Sequence, residues 1–176
     1  TVAKTIKALS TLDVFMFTIH ASGGKRMMED AAEASRQSFS RKPLMVGVTV
    51  LTSLDANDLG QIGINRQLQE QVVQLASLAK SAGLDGVVCS PHEIAVLRKS
   101  QGKNFTLVVP GIRPGFSKPS EVLAGHTAHV KNDDQKRTMT PKEAMDAGAT
   151  YLVIGRPITG APDPAKAAED IRRSLE

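Results

Sequence analysis

Five short apolar runs, separated by segments of helical composition, constrain the fold of this chain more than any other feature. Short, near-continuous apolar runs are typical of parallel strands that are buried on both faces. Their alternation with helices indicates β/α units around a parallel sheet. The sequence therefore predicts one α/β domain over residues 1–176, with strands in VFMFTIHAS (14–22), LMVGVTVLTS (44–53), DGVVCS (85–90), FTLVVPGIRP (105–114) and YLVIGRP (151–157).

Helices are predicted between and around these runs. Gly83 is suited to end one helix, while Thr140 and Asp163 are suited to begin two others. Two architectures fit the pattern, namely an open doubly wound sheet and part of an eight-stranded barrel. No G-x-G-x-x-G follows any of the strands, which weakens the case for dinucleotide binding. The predicted helical segments are 1–11, 25–37, 67–83, 91–101, 140–149 and the residues after Asp163.

Composition excludes several classes of function. The chain has no Trp and one Tyr, which argues against a base-stacking surface for nucleic acid. Cys89 is the only cysteine, so neither an internal disulfide nor a cysteine metal cluster is expected. No apolar run approaches the ~18 residues of a spanning helix, and we expect a cytoplasmic location with no membrane partner. The net charge of +4 suits an anionic ligand, but it suits a plain basic surface equally well.

Two arginines follow the last two predicted strands, in PGIRP and IGRPIT. Each has a nearby glycine, which lets backbone N–H groups come close to a ligand. The guanidinium is a planar fork that matches phosphate oxygens. Barrel enzymes often bind phosphate at the loops after their last two strands. The paired placement predicts that Arg113 and Arg156 hold a phosphate group, whereas either arginine alone would more simply form a surface ion pair.

Six stretches together resemble the orotidine 5′-phosphate decarboxylase family, in the order in which that family has them. They cover nearly the whole chain, and together they are specific even against sister phosphate-binding barrels. The stretches are IHASGGKRMM (19–28), VTVLTS (48–53), GLDGVVCS (83–90), VPGIRP (109–114), DDQKRTMTP (133–141) and VIGRPIT (153–159).

The resemblance implies a (β/α)8 TIM barrel, of which this chain holds strands 4–8 and helices 3–8. It also implies the decarboxylation of orotidine 5′-monophosphate to UMP in de novo pyrimidine biosynthesis, without a metal or an organic cofactor. A homodimer with shared active sites is expected as well. The reaction class would be that of a carboxy-lyase acting on a small-molecule nucleotide.

The resemblance also assigns roles to individual residues. Arg156 is similar to the family's main phosphate ligand, with the backbone of Gly155 beside it. Gln135 matches the residue that reaches phosphate and pyrimidine from a closing lid. Arg113 matches a ligand-contacting arginine. Thr52 matches a threonine that hydrogen-bonds near the pyrimidine.

The family's catalytic tetrad of two lysines and two aspartates has no match in these residues. Its D-x-K-x-x-D signature would end just before Thr1, which matches a threonine that reaches the ligand of the neighbouring subunit. Asp134 to Lys136 begin the same pattern, but Met139 stands where the second aspartate is needed. The chain is therefore expected to be the carboxyl-terminal five-eighths of the enzyme, with the phosphate half of the site and no catalytic residue of its own.

Two other functions stay open at this point. A related phosphosugar barrel, such as an epimerase or hexulose-phosphate synthase, would share the phosphate arginine but lack the lid glutamine and the VLTS threonine. An inactive module that keeps only the phosphate site is the other alternative. His126 and His129 have a spacing that a metal could use, but a solvated loop pair is the simpler reading. Cys89 is expected to be buried and structural.

Overall fold

The computed structural model describes residues 1–114 and 138–176. The remaining residues, 115–137, include Gln135 and the pair His126 and His129. These predictions lie outside the described residues and stay predictions.

Five parallel strands form one sheet in the order β1-β2-β3-β4-β5. Each strand pairs in parallel with its neighbours along the chain, which confirms the predicted β/α architecture. A doubly wound sheet reverses its strand order at a switch point. The consecutive order therefore favours the arc of a barrel, while the closed eight-stranded barrel remains a prediction. The strands are β1 Met16–His20, β2 Leu44–Val48, β3 Gly86–Val88, β4 Thr106–Val109 and β5 Tyr151–Leu152.

The described residues contain eight α-helices and three short 3-10 turns. Three predicted helix boundaries are confirmed. The side chain of Thr140 accepts a hydrogen bond from the Glu143 N–H, that of Asp163 accepts one from the Lys166 N–H, and Gly83 has a φ of 83° just past α4. None of the described helices combines the length and the apolar character that crossing a membrane requires. The helices are α1 Val2–Ala8, α2 Lys25–Ser38, α3 Ala56–Gln61, α4 Leu68–Ser81, α5 Ile94–Gln101, α6 Pro141–Asp146, α7 Arg156–Thr159 and α8 Pro164–Arg173.

The strands are shorter than the apolar runs that predicted them, and two short helices were not predicted. β2 ends at Val48 and is followed by a turn, and β5 ends at Leu152 and is followed by helix α7. Helix α3 begins in the polar stretch after β2, where the Asp55 side chain accepts hydrogen bonds from the first-turn N–H groups. Helix α7 begins inside the run that was predicted to be strand up to residue 157.

One face of the sheet packs against the helices and forms the core. A Cβ atom on Gly47 would lie 3.2 Å from the Cβ of Ala79, so α4 packs directly on β2. Ala76 and Ala79 are fully buried, and the buried residues of the helices and strands form one cluster. Cys89 belongs to this cluster and is 1% exposed, which confirms its predicted burial.

The opposite face of the sheet carries exposed apolar side chains. Because side chains alternate along a strand, Tyr151 and Val153 point away from the side on which Leu152 and Ile154 meet the core. Tyr151 is 37% exposed and Val153 is 50% exposed. The ring of Phe15, just before β1, packs edge-on against Tyr151 with centroids 5.6 Å apart. The first and last strands of the sheet therefore approach each other across this face, so the sheet is strongly curved.

Gly86 provides a test of the close pairing between β3 and β4. A Cβ atom at this position would overlap the backbone carbonyl of Thr106, whereas a Cβ atom on Gly60 of α3 would meet no atom within 4 Å. We expect Gly86→Ala to lower the free energy of unfolding by about 2 kcal/mol or more, because the backbone must shift. Gly60→Ala is the matched control and should be neutral or slightly stabilising. Urea denaturation measures both, and equal stabilities would contradict the described register.

Candidate functional site

The carboxyl ends of the five strands lie at one edge of the sheet, which we call the rim. Because β4 and β5 are neighbours in the sheet, the segments that follow them are neighbours at the rim. These segments carry Arg113 and Arg156, the two arginines that the sequence predicted to hold a phosphate. The structure thus places the two predicted phosphate-binding segments side by side.

Arg156 is the first residue of helix α7, which corrects the prediction that it ends a strand. Pro157 explains the difference, since proline fits the first turn of a helix but cannot donate to a sheet ladder. The Gly155 carbonyl accepts hydrogen bonds from the N–H groups of Ile158 at 2.8 Å and Thr159 at 3.0 Å, which closes this turn. The Arg156 side chain is exposed at the rim, where a ligand can reach it.

Gly155 is also exposed, and a Cβ atom placed on it would meet no atom within 4 Å. The backbone at this position is therefore open to a ligand on the side from which a side chain would project. Its φ of −99° lies outside the region that only glycine favours, so the value of glycine here is the space that it leaves. The role of Gly155 as a backbone contact beside the arginine stays a prediction.

Arg113 is half-buried. Its backbone N–H donates to the Met139 carbonyl at 2.9 Å, and its Nη1 donates to the Ile112 carbonyl at 2.9 Å. Ile112 and Met139 form an isolated parallel bridge. Gly111 has a φ of 77°, a conformation that L side chains rarely adopt, and it turns the chain out of β4 toward this bridge.

The segment that begins at Thr138 is anchored at the same place. The Nε2 atom of His92 lies 3.2 Å from the Thr138 carbonyl oxygen. Thr140 then caps α6 in a reciprocal arrangement with Glu143, and the hydrogen bond from the Thr140 hydroxyl lowers the pKa of the Glu143 carboxyl. His92 and Met139 thus help to fix the rim, although the sequence analysis assigned neither of them to the site. No motif signals these contacts, because they join residues that are far apart in the chain.

Thr52 and Thr1 belong to other segments than the two arginines, which follow β4 and β5. Thr52 is half-buried in a turn after β2, closed by the Leu54 N–H donating to the Leu51 carbonyl at 3.0 Å. Thr1 precedes α1, is exposed, and lines a surface cavity of about 310 Å³ together with Arg26 and Asp30 of α2. The cavity adjoins α2, the helix that follows β1, and β1 is at the opposite end of the strand order from β5. Gln135 lies outside the described residues.

Other rim residues have structural partners. Ser90, at the end of the third strand-forming run, is fully buried, and its backbone N–H donates to the Glu93 carboxylate at 2.8 Å. The Ser90 hydroxyl accepts a hydrogen bond from the His92 N–H at 3.3 Å, so it caps the 3-10 turn that follows. Within residues 1–114 and 138–176, no group of three His, Cys, Asp or Glu residues is arranged to hold a metal ion.

Comparisons with known proteins agree on one family. The family model described as "Orotidine 5'-phosphate decarboxylase / HUMPS family" matches residues 1–171. An orotidine 5′-phosphate decarboxylase from Neisseria gonorrhoeae is 51% identical over 173 residues, covering 98% of this chain and 65% of that protein. One from Actinobacillus succinogenes is 49% identical, covering 99% of this chain and 70% of that protein. The chain thus spans roughly two-thirds of the length of these relatives.

Solved structures show the same relationship in three dimensions. The crystal structure of orotidine 5′-phosphate decarboxylase from Lactobacillus acidophilus superposes with a TM-score of 0.80 at 34% identity, covering 99% of this chain and 69% of that chain. An uncharacterised conserved protein from Geobacillus kaustophilus gives a TM-score of 0.78 at 32% identity, with 99% and 70% covered. The five-stranded sheet and its helices therefore match part of each of these larger structures.

Proposed function

The chain belongs to the orotidine 5′-phosphate decarboxylase / HUMPS family, and on that premise we propose that it takes part in the decarboxylation of orotidine 5′-monophosphate to UMP. The observation that carries the proposal is the position of Arg113 and Arg156 on neighbouring segments of the rim. The similar proteins from Neisseria gonorrhoeae and Lactobacillus acidophilus are orotidine 5′-phosphate decarboxylases, which supports the choice of substrate.

Arg156 and Gly155 are the proposed phosphate contacts. The guanidinium offers a fork of donors to the phosphate oxygens, and the uncovered backbone of Gly155 lets the ligand approach closely. Arg113 has its Nη1 engaged with the Ile112 carbonyl, so this side chain is oriented before the ligand arrives. Gln135 is proposed to reach the phosphate and the pyrimidine, and Thr52 to hydrogen-bond near the pyrimidine.

The reaction breaks the bond between a ring carbon and the carboxylate, and CO2 leaves without the bonding electron pair. That pair stays on the ring carbon, which then takes a proton to give UMP. An ammonium group at that carbon would stabilise the charge and donate the proton. The family resemblance assigns this work to a lysine–aspartate tetrad, and residues 1–176 contain no D-x-K-x-x-D motif. The described residues would contribute binding energy. Contacts to a phosphate that lies far from the reacting carbon can still be used to accelerate the reaction at that carbon.

Arg156→Ala tests the phosphate site directly. We expect the substitution to weaken UMP binding by about 2 kcal/mol or more, because a charge-assisted contact is lost. Isothermal titration calorimetry measures the change in the full-length protein, by which we mean the longer enzyme to which residues 1–176 are proposed to belong. Arg172→Ala is the matched control, since Arg172 is an exposed arginine that pairs with Glu169 and Glu176 on and just after α8. Unchanged affinity in Arg156→Ala would remove this arginine from the site.

A polypeptide of residues 1–176 alone is expected to show no turnover of orotidine 5′-monophosphate above the uncatalysed rate, because the proposed proton donor is not among them. The absorbance change of the pyrimidine on loss of CO2 measures the rate. The full-length protein is the positive control. Turnover by residues 1–176 would place the proton donor within them and would reject the assignment to the tetrad. Turnover of a pentulose or hexulose phosphate in place of the nucleotide would favour the phosphosugar alternative.

A homodimer with shared sites is also proposed from the resemblance. Thr1 is exposed beside Arg26 and Asp30, which leaves it accessible to a neighbouring subunit. Sedimentation equilibrium of the full-length protein is expected to give twice the mass of one chain. A monomer that is fully active would contradict the sharing of sites.

A further inference from the structure

The guanidinium of Arg98 joins three segments at the end of the sheet opposite to the rim. Arg98 lies near the end of α5. Its Nε and Nη2 donate to the Gly148 carbonyl at 2.9 and 2.7 Å, and Nη2 also donates to the Thr150 hydroxyl at 3.1 Å. Its Nη1 donates to the carbonyls of Phe105 at 2.6 Å and Gly102 at 3.0 Å. One side chain therefore ties the residue before β4 to the residues before β5.

We propose that Arg98 is a positioning residue for phosphate binding, which fixes the register of β5 against β4 and thereby places Arg156 beside the Arg113 segment. This inference rests on the proposed function of the rim, because it links the register of β5 to phosphate binding there. Arg98 itself is not proposed to touch the ligand. Its contacts lie at the amino ends of β4 and β5, whereas Arg113 and Arg156 follow the carboxyl ends of the same two strands.

The register is set through Thr150. The Thr150 hydroxyl accepts the bond from Arg98 and a second bond from the Leu107 N–H at 3.0 Å, while the Thr150 N–H donates to the Leu107 carbonyl at 2.9 Å. Thr150 is thus fastened to one residue of β4 by both its backbone and its side chain. Since Arg98 also binds the Phe105 carbonyl, it holds both strands from one point.

β5 needs such an anchor because its own pairing is short. Within the described residues, its ladder to β4 comprises the pairs Val108–Tyr151 and Val109–Leu152, extended by the Val153 N–H donating to the Val109 carbonyl at 2.9 Å. A slip by one residue would move the chain by about 3.3 Å and turn each side chain to the other face. Either change would carry Arg156 away from its place at the rim.

The contact requires an arginine and a nearby glycine. A lysine has one nitrogen on a flexible stem and cannot bind four acceptor groups arranged around a planar fork. Gly148 has a φ of 108°, and a Cβ atom on it would lie 3.1 Å from the Arg98 Nε. The chain therefore passes close to the guanidinium at a residue that has no side chain to obstruct it.

A double-mutant cycle on UMP affinity separates positioning from general stability. The four full-length proteins are wild type, Arg98→Lys, Arg156→Ala and the double variant, each measured well below its unfolding temperature. We expect Arg98→Lys to weaken UMP binding about tenfold in the wild-type background and less than about twofold when Arg156 is already absent, because residues that act through one another are not additive. Equal weakening in both backgrounds, or none in either, would overturn the proposal.

Control variants keep the test decisive. Arg36→Lys changes an arginine that pairs with Glu33 on its own helix and should leave UMP affinity unchanged. If Arg98→Lys does not fold, Thr150→Val replaces it in the cycle. Thr150→Ser keeps the hydroxyl and is then expected to restore affinity; failure of Thr150→Ser to do so would overturn the role of the hydroxyl.

Failure of the proposed function would look different, because wild type itself would bind no UMP. The register is then read by hydrogen exchange in Arg98→Lys. Faster exchange at the amides of Leu107, Thr150 and Val153, with no change in β1 and β2, supports the anchoring role. If the substitution changes the exchange rates equally across the whole sheet, or changes none of them, the anchoring role is overturned.

Discussion

The parallel pairing of β4 with β5 is the contact on which the candidate site depends. Arg113 and Arg156 are 43 residues apart in the chain, and only this pairing brings the segments that carry them to adjacent places on the rim. The pairing is also short, so its geometry relies on contacts beyond the ladder. Those contacts lie at the amino ends of the strands, where Arg98 and Thr150 hold them, and at the carboxyl ends, where Gly111 and Met139 turn and fasten the chain. The site is therefore supported from both ends of the strands that form it.

The two ends of the sheet use polar side chains in different ways. At the amino ends, polar side chains form hydrogen bonds with other groups of the protein, most of them in the backbone. The Asp85 carboxylate accepts from the Met45 N–H at 2.8 Å and from Lys42 at 2.7 Å, and Arg98 binds three carbonyls and a hydroxyl. At the rim, Arg156 is exposed on a short helical turn beside a glycine with open space around it. A guanidinium surrounded by carbonyls stabilises the fold, whereas the exposure of Arg156 near the strand ends suits the anion-binding role that we propose for it.

The sequence alone allowed the sheet and most of the helices to be predicted, because apolar runs and capping residues report local structure. Thr140, Asp163 and Gly83 carry their signals within a few residues of the boundaries that they set. Gly155 and Arg156 were predicted as binding residues from their position after an apolar run, but the run did not reveal that a helix begins there. The roles of Arg98, His92 and Met139 depend on partners 40 or more residues away or on contacts of the backbone alone. Such contacts leave no pattern in the local sequence, so only the folded chain discloses them.

The consecutive strand order also bears on how the molecule is synthesised. Every ladder joins a strand to the next one along the chain, so each unit can dock as soon as the following strand has left the ribosome. The described strands can then assemble in the order in which they are synthesised, and the addition of β5 brings Tyr151 against Phe15 across the curved face. Within the described sheet, β1 and β5 each pair with one neighbour, so the backbone of their outer sides can join a strand of another nascent chain. Arg156 follows β5, so of the two rim arginines it is the later one to reach its place in the fold.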